Sequence, residues 1–504
     1  MFRRLPLREM HRQREPFAAL PQATSLLLPS KAFPTFAKSS LIDSWGHKDR
    51  PANAGGDDGR NKMQSDAKQS EALAQMRRRI VISSTIGNAL EWFDFTVFGL
   101  FVGIIGKLFF PADNPSSSML LTFATFGIAF AARPLGGLVF GLYADRHGRK
   151  KALVVMITLM ALGTGLLGFL PTYGAIGIAA PILLLLARLI QGFSAGGEFG
   201  SASAMLIEFA PPGRRGFYGS FQMVSQSLAF SLGAAMAIGL NLGLSPDAFA
   251  SWGWRVPFIL GILIGPIGYY LRQKCDESPE FQAYLAEKAA HAQPKKQTTL
   301  GELFANHPRE LIASFCLIAA GTAINYINAV FLPNYAVAEL KLPQINAQMG
   351  LLIVSTINAV AAMAFGALSD RVGRRMVIVP ALIAYSVLFY FVLQRLIGAP
   401  TTGGLLELQL IAILLGALAG PMPAFMTEIF PVGVRSTGAS LMYNFAVMLF
   451  GGLAPAINTW LIQSTGNKAA PVYYIFFAAA VGLIGLSVYR SRTPDATPVA
   501  QPAE

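Results

Sequence analysis

From residue 80 onward the chain is a series of apolar runs broken by short polar loops. The runs lie near 80–109, 117–144, 152–170, 178–209, 216–244, 252–272, 309–337, 344–370, 376–396, 404–430, 435–463 and 470–490. Each is long enough to cross about 30 Å of hydrocarbon. A backbone in lipid must satisfy its own hydrogen bonds, so the pattern predicts about twelve transmembrane helices and an all-α membrane fold. Residues 1–79 differ: they are polar, rich in Arg, Pro, Ser and Asp, and hold no spanning run. Ala18–Leu28 is too broken by Pro and Gln for a secretory core. Arg3, Arg4, Arg8, Arg12 and Arg14 have the flavour of a transit peptide, which Glu9 and Glu15 argue against. The segment is expected to be a disordered cytoplasmic tail. Translation from Met63 or Met76 would leave most of it out.

The loops carry the orientation. Arg77–Arg79, Arg146 to Lys151, Arg214–Arg215, Arg272 to Arg309, Arg371 to Arg375, Arg435 and Arg490 all fall on one side. The opposite loops hold little beyond Lys341 and Lys468. The basic side is cytoplasmic by the positive-inside rule, which puts both termini there. The stretch 273–308 is the only long internal loop and the natural linker between halves at 80–272 and 309–490, with 491–504 a short cytoplasmic tail. Two motifs repeat across it. Gly141-Leu-Tyr-Ala-Asp145-Arg-His-Gly148-Arg149 matches Gly366-Ala-Leu-Ser-Asp370-Arg-Val-Gly373-Arg374, an offset of 225 (370 − 145). Glu208-Phe-Ala-Pro211-Pro-Gly213-Arg-Arg215 matches Glu428-Ile-Phe-Pro431-Val-Gly433-Val-Arg435, an offset of 220 (428 − 208). Two motif pairs at nearly one offset imply a parallel duplication, related by a pseudo-twofold axis, an arrangement that resembles the major facilitator fold.

Composition agrees. Of 504 residues 53% are hydrophobic and 13% charged, where a soluble chain carries about 25% charge. The net charge of +13 would raise nucleic acid as a partner in a soluble protein. Here the basic residues crowd into short loops, and topology accounts for them. Cys275 and Cys316 have no metal or disulfide spacing. There is no Gly-x-x-x-x-Gly-Lys-Ser/Thr loop and no His-Glu-x-x-His, which speaks against an enzyme and against ATP as the drive. No cofactor and no obligate protein partner are expected.

The first span contains Gly87-Asn88-Ala-Leu-Glu91-Trp92-Phe-Asp94-Phe, followed by Phe109-Phe110-Pro111. Further on come Arg133-Pro134-Leu-Gly136-Gly, Arg188-Leu-Ile-Gln191-Gly192-Phe-Ser-Ala-Gly196-Gly197-Glu198 and Trp252-Gly-Trp254-Arg255-Val-Pro257-Phe. In these the chain resembles the metabolite:proton symporter family of the major facilitator superfamily over about residues 78–490. Members carry citrate, 2-oxoglutarate, other dicarboxylates, shikimate, aromatic acids, or proline and betaine. Ala180-Pro181-Ile-Leu-Leu-Leu-Leu-Ala-Arg188 and Gly216-Phe-Tyr218-Gly-Ser-Phe-Gln222 are similar to the citrate branch. The long heptad tail often found in the osmolyte branch is not seen in 491–504.

Ionisable residues in mid-span are costly and mark function by default. Counted from the basic ends at about 1.5 Å per residue, Glu91, Asp94, Arg133 and Glu198 all lie roughly 16–21 Å deep. Glu91 and Asp94 share one helix face. One arginine among three carboxylates leaves at least one of them with raised proton affinity, so Glu91, Asp94 and Glu198 are the candidate proton-coupling residues. The competing reading is a structural ion pair, Arg133 with Asp94 foremost. Arg188 is counted some 31 Å deep, on the outer side. There its fork suits a substrate carboxylate, a lipid headgroup or an outer loop. Arg133, Arg188 and Gln191 are candidate substrate ligands, as are Asn325, Tyr326, Asn358, Tyr443 and Asn444 in the second half. Each lone Asn is as well suited to linking helices.

Asp145, Arg149, Glu208, Asp370, Arg374, Glu428 and Arg435 form the candidate conformational latch. By resemblance to the superfamily, such contacts close the cytoplasmic side while the outside is open; plain positive-inside anchoring is the other explanation. Gly137/Gly141 and Gly192/Gly196/Gly200 repeat at i+4, a spacing that lets helices approach and slide. The expectation is a bacterial inner-membrane carrier that takes up a small organic acid with protons by alternating access. A zwitterion carrier caged by Trp92, Phe93 and Tyr326 is the alternative. A non-transporting sensor is a third reading.

Overall fold

A computed structural model describes residues 56–111, 115–273, 277, 279–290 and 300–488. Met1–Gln64 and Ser65–Glu504 separate as two units. Of the first, residues 56–64 are described and are helical; apart from the start of α1, everything below concerns the second.

Among the described residues twelve long helical segments succeed one another. They are α1 (Gly56–Leu100), α2 (Pro115–His147), α3 (Arg149–Phe169), α4 (Ala179–Glu208), α5 (Arg215–Gly243) and α6 (Val256–Gln273), then α7 (Pro308–Ala338), α8 (Gln344–Val372), α9 (Arg374–Gly398), α10 (Thr402–Glu428), α11 (Val432–Thr465) and α12 (Pro471–Val488). Among the described residues ten helices are long and apolar enough to cross a membrane. An eleventh appears if Ala74–Leu100 and Val102–Phe109, bent by 71° at Phe101, count as one span. α6 fills the remaining place and packs on α3. α7 and α11 each contain a π turn, at Ile327–Phe331 and Val447–Gly452.

Two boundaries differ from the sequence reading. α1 begins at Gly56 rather than near 80. Residues 56–79 are therefore a polar helical extension, and the part of the expected tail at 1–55 lies outside the described residues, as does 491–504. The linker is also partly helical, at Pro279–Ala290 and Leu300–Asn306.

The helices meet where small residues let them. α2 packs along α4, and a Cβ at Gly192 would sit 2.0 Å from the Ala129 carbonyl, one at Gly196 2.1 Å from that of Arg133. Gly137 and Gly141 face the other half instead, where α11 would collide with any side chain there. The halves touch through α2 and α4 against α11 and through α5 against α8 and α10. The α2–α11 and α8–α5 contacts exchange under a six-helix shift, as a pseudo-twofold axis requires. The Asp145/Asp370 loops define one end of the bundle, called the motif end below.

Candidate functional site

The charged residues of the first half form two ion pairs, both sealed from solvent. Arg133 on α2 donates through Nη2 to Glu91 on α1. Arg188 on α4 donates through Nη1 to Asp94 Oδ2 at 2.9 Å and to Gln191 Oε1 at 2.8 Å, and Gln191 passes a hydrogen bond to Thr164 on α3. Both arginines are 0% exposed. Burial on this scale needs soft neighbours, which aromatic faces supply. The Arg188 guanidinium lies 4.0 Å from the Phe98 ring centre and 4.8 Å from that of Phe95. Arg133 sits within 5.3–6.0 Å of Phe95, Phe130, Trp92 and Tyr443. Glu198 is buried on α4.

This corrects the charge count made from sequence. Asp94 belongs to Arg188, not to Arg133, and the acidic layer holds two arginines. Depth counting misplaced Arg188 because a residue count gives depth along one helix and not the relative height of two.

Between the halves lies a cavity of about 340 Å³ that runs from Trp92 and Tyr326 at mid-bundle to Ala338 and Gln348 at the end opposite the motifs. Five aromatic rings line it: Trp92, Phe95, Phe126, Phe230 and Tyr326. Thr96, Asn325, Asn334 and Gln348 supply polar atoms. A smaller hollow of about 40 Å³ continues toward the motif end, bounded by Gln226, Ser227, Thr322, Asn358 and Tyr443; Trp92, Asn325 and Tyr326 stand between the two. Tyr326 OH and Asn358 Oδ1 are buried atoms without a hydrogen-bond partner. Each borders the hollow, so each is placed to meet a ligand.

The expected substrate ligands thus divide. Asn325, Tyr326, Asn358 and Tyr443 line the cavity or its extension. Arg133, Arg188, Gln191 and Asn444 do not. The two arginines are screened from the cavity by the rings they stack on, which sequence spacing does not reveal. A polar clasp between α1 and α5 had also been given no role: Asn88 Nδ2 donates to the Gln222 carbonyl at 2.9 Å, and Gln222 Nε2 donates to Asn88 Oδ1 at 2.8 Å. Its signal was Asn88 lying one turn before Glu91 in the first-span motif.

At the motif end the charged loops interlock. Asp145 accepts from Thr437 N and Oγ1 at 2.8 and 2.6 Å and from Ser436 N at 3.3 Å, capping the start of α11. Asp370 does the same for α5, through Gly216 N and Phe217 N at 2.7 and 2.9 Å. Each motif aspartate therefore satisfies orphan amides of a helix in the other half. Arg149 lies 3.4 Å from Glu208, Arg435 reaches Glu208 at 2.9 Å across the halves, and Arg374 lies 3.0 Å from Glu428 and 2.7 Å from Asp370. Phe281 of the linker helix covers the Arg149 guanidinium at 4.1 Å.

Comparison with known proteins agrees with this architecture. Residues 80–292 match the model for sugar and other transporters, and residues 311–504 that for the major facilitator superfamily. The citrate–proton symporter of Klebsiella pneumoniae is 40% identical over 408 residues, 80% of this chain and 90% of that protein. The proline/betaine transporter of Escherichia coli strain K12 is 34% identical over 420 residues, 81% and 82% of the two chains. The proton:xylose symporter XylE, solved with 6-bromo-6-deoxy-D-glucose, superposes with a TM-score of 0.70 at 18% identity, covering 82% of this chain and 96% of its own. With its duplicated motifs, its two helical halves and relatives that match along most of their length, the chain belongs to the metabolite:proton symporter family of the major facilitator superfamily.

Proposed function

We propose that this protein takes up a small di- or tricarboxylic acid, of which citrate and 2-oxoglutarate are the first to test, together with protons. The motif end is the cytoplasmic end, given its basic loops, with both termini on that side of a bacterial inner membrane. The state described above is closed inside, with its cavity reaching the outer end.

One observation carries the reading. Two arginines and two carboxylates, Arg133 with Glu91 and Arg188 with Asp94, are sealed as ion pairs in the first half, and a third carboxylate, Glu198, is buried on α4. A proton from outside neutralises one of these acids, and releasing it inside restores the carboxylate. The substrate binds in the cavity, where Tyr326 and Asn358 offer hydrogen bonds, with Asn325 and Tyr443 beside them. Arg133 keeps a buried Nη1 without a hydrogen-bond partner. It sits one ring behind the cavity wall, and a displacement of Trp92 would admit a substrate carboxylate to it. Arg188 and Gln191 hold Asp94 in place. The latch of Asp145, Arg149, Glu208, Arg435, Asp370, Arg374 and Glu428 breaks as the bundle opens inward.

A second reading has its own support. The lining residues of the cavity include no ionised side chain, and its five aromatic rings suit a quaternary ammonium. The similar relatives include proline/betaine transporters as well as citrate–proton symporters. Uptake into proteoliposomes under an imposed pH gradient separates the two. Labelled citrate and 2-oxoglutarate should accumulate and labelled betaine and proline should not; the reverse outcome selects the zwitterion carrier. Accumulation that a protonophore leaves unchanged would remove proton coupling from both.

A further inference from the structure

Asn444 is fully buried on α11, lines neither cavity and spends every polar atom on the first half or on its own helix. Its Nδ2 donates to the Gly196 carbonyl on α4 and to the Ser440 carbonyl at 2.6 Å. Its Oδ1 accepts from Arg133 Nε at 3.2 Å. The orientation of the amide is fixed by chemistry: carbonyls only accept and a guanidinium only donates. Gly137 makes the room, since a Cβ there would lie 2.6 Å from Nδ2. The same guanidinium that grips Asn444 through Nε grips Glu91 through Nη2. One side chain of the second half therefore reads the partner of a first-half carboxylate.

We infer that Asn444 is a positioning residue that transmits the charge state of Glu91 to the contact between the halves. With Glu91 ionised, Arg133 is held between the carboxylate and Asn444 Oδ1, and α11 is tied to α2 and α4. When Glu91 takes a proton, Arg133 loses its counter-charge and turns away, and the tie through Asn444 slackens. Asn444 lies nine residues into α11 from Arg435, on the side of the bundle that must part for the motif end to open. Proton uptake thereby lowers the cost of opening inward.

The inference rests on the proposed use of Glu91 as a proton site, so the experiment separates the two. Wild type, Glu91→Gln, Asn444→Ala and the double variant are reconstituted. Citrate is the probe for pH-gradient-driven accumulation, for equilibrium binding and for one-to-one exchange. Asn444→Ala should bind citrate within about twofold of wild type and exchange it, yet lose roughly tenfold in driven accumulation, the size of an ordinary coupling between sites. In the Glu91→Gln background Asn444→Ala should change nothing further, because the signal it carries is already absent. Equal losses that add in the double variant, or an Asn444→Ala pH profile like that of wild type, overturn the inference while leaving Glu91 its role. A Glu91→Gln carrier with unchanged pH dependence overturns the underlying reading instead. If Asn444→Ala does not fold, Asn444→Asp serves. Its carboxylate competes for Arg133 and should move the midpoint of pH-dependent uptake to higher pH, and an unmoved midpoint counts against the role.

Discussion

Asp94→Asn tests how the first half tolerates its buried charge. Arg188 has no exposure, and its contacts are Asp94 at 2.9 Å, Gln191 at 2.8 Å and aromatic faces. At an effective dielectric of about 20, unit charges that close attract by about 6 kcal/mol. Asparagine keeps an acceptor toward Arg188 and the shape of the site, but it leaves the guanidinium without a counter-charge. Removing one partner of a buried pair costs about 3–5 kcal/mol, and the retained hydrogen bond sets the expectation at the lower end. Adding Arg188→Gln removes the stranded charge and should recover most of that loss, because a neutral buried pair needs no compensation. Reversible unfolding in mixed detergent, followed by tryptophan fluorescence, reads both values. The folded double variant should bind substrate and fail to accumulate it against a pH gradient. Asp94→Asn as stable as wild type, or a double variant no more stable than the single one, would refute the pairing argument. A double variant that still accumulates steeply would remove Asp94 from proton coupling.

Other outcomes are as definite. Tyr326→Phe deletes a hydroxyl that has no partner inside the protein, so stability should hold while the KM for the transported acid rises roughly fivefold, the worth of one hydrogen bond; an unchanged KM takes Tyr326 out of the substrate site. Gly192→Ala forces a methyl to within 2.0 Å of the Ala129 carbonyl and should part α2 from α4, whereas Gly103→Ala meets nothing within 4 Å and should be silent; the comparison is read as thermal stability in detergent. Arg374→Ala removes the cation from Glu428 and Asp370, leaving Asp370 only its amide contacts, so a thiol-reactive probe should gain access to cysteines placed at the motif end. Unchanged labelling would make the pair an anchor and not a latch.

Much of this was written in the chain. Helix number, the duplication and the motif end follow from hydropathy and from the two charged repeats, because lipid leaves the backbone few options and the repeats recur at nearly one offset. The acids beside the motif arginines were legible too, Glu208 for Arg149 and Glu428 for Arg374, since they lie at neighbouring helix ends; the amides that Asp145 and Asp370 cap in the other half were not. The pairing of buried charges was not. Residue counting gives depth along one helix but not the relative height of two, and Arg188 joined Asp94 where arithmetic had them about 10 Å apart. Nor does sequence say that Trp92 and Phe95 stand between Arg133 and the cavity: an aromatic beside an acid in a motif reads equally as a ligand wall or as packing. Asn444 is the sharpest case, because a lone Asn in a span fits a substrate contact or a helix link, and only its three partners decide.

The two halves are unequal in a way that bears on mechanism. In the first, two guanidinium groups sit stacked on aromatic faces and sealed. In the second, the cavity presents hydroxyl and amide groups from Asn325, Tyr326, Asn358 and Tyr443. On the proposed function, an anion entering from the end opposite the motifs therefore meets a neutral, aromatic wall first. It feels the arginines only through that wall, where their charge is largely cancelled by Glu91 and Asp94. Protonating either acid uncovers a positive charge one ring away from the cavity. Under the proposed function the site is attractive to an anion when a proton is bound and indifferent to it otherwise. Such an arrangement makes cargo affinity conditional on the proton without any direct contact between them. It also predicts that enlarging the opening at Trp92, as in Trp92→Leu, exposes the guanidinium permanently: citrate should then bind nearly as well in alkaline as in acidic medium, and accumulation should collapse although binding does not. Binding that stays strongly pH-dependent in Trp92→Leu would mean that the ring does not govern access to Arg133.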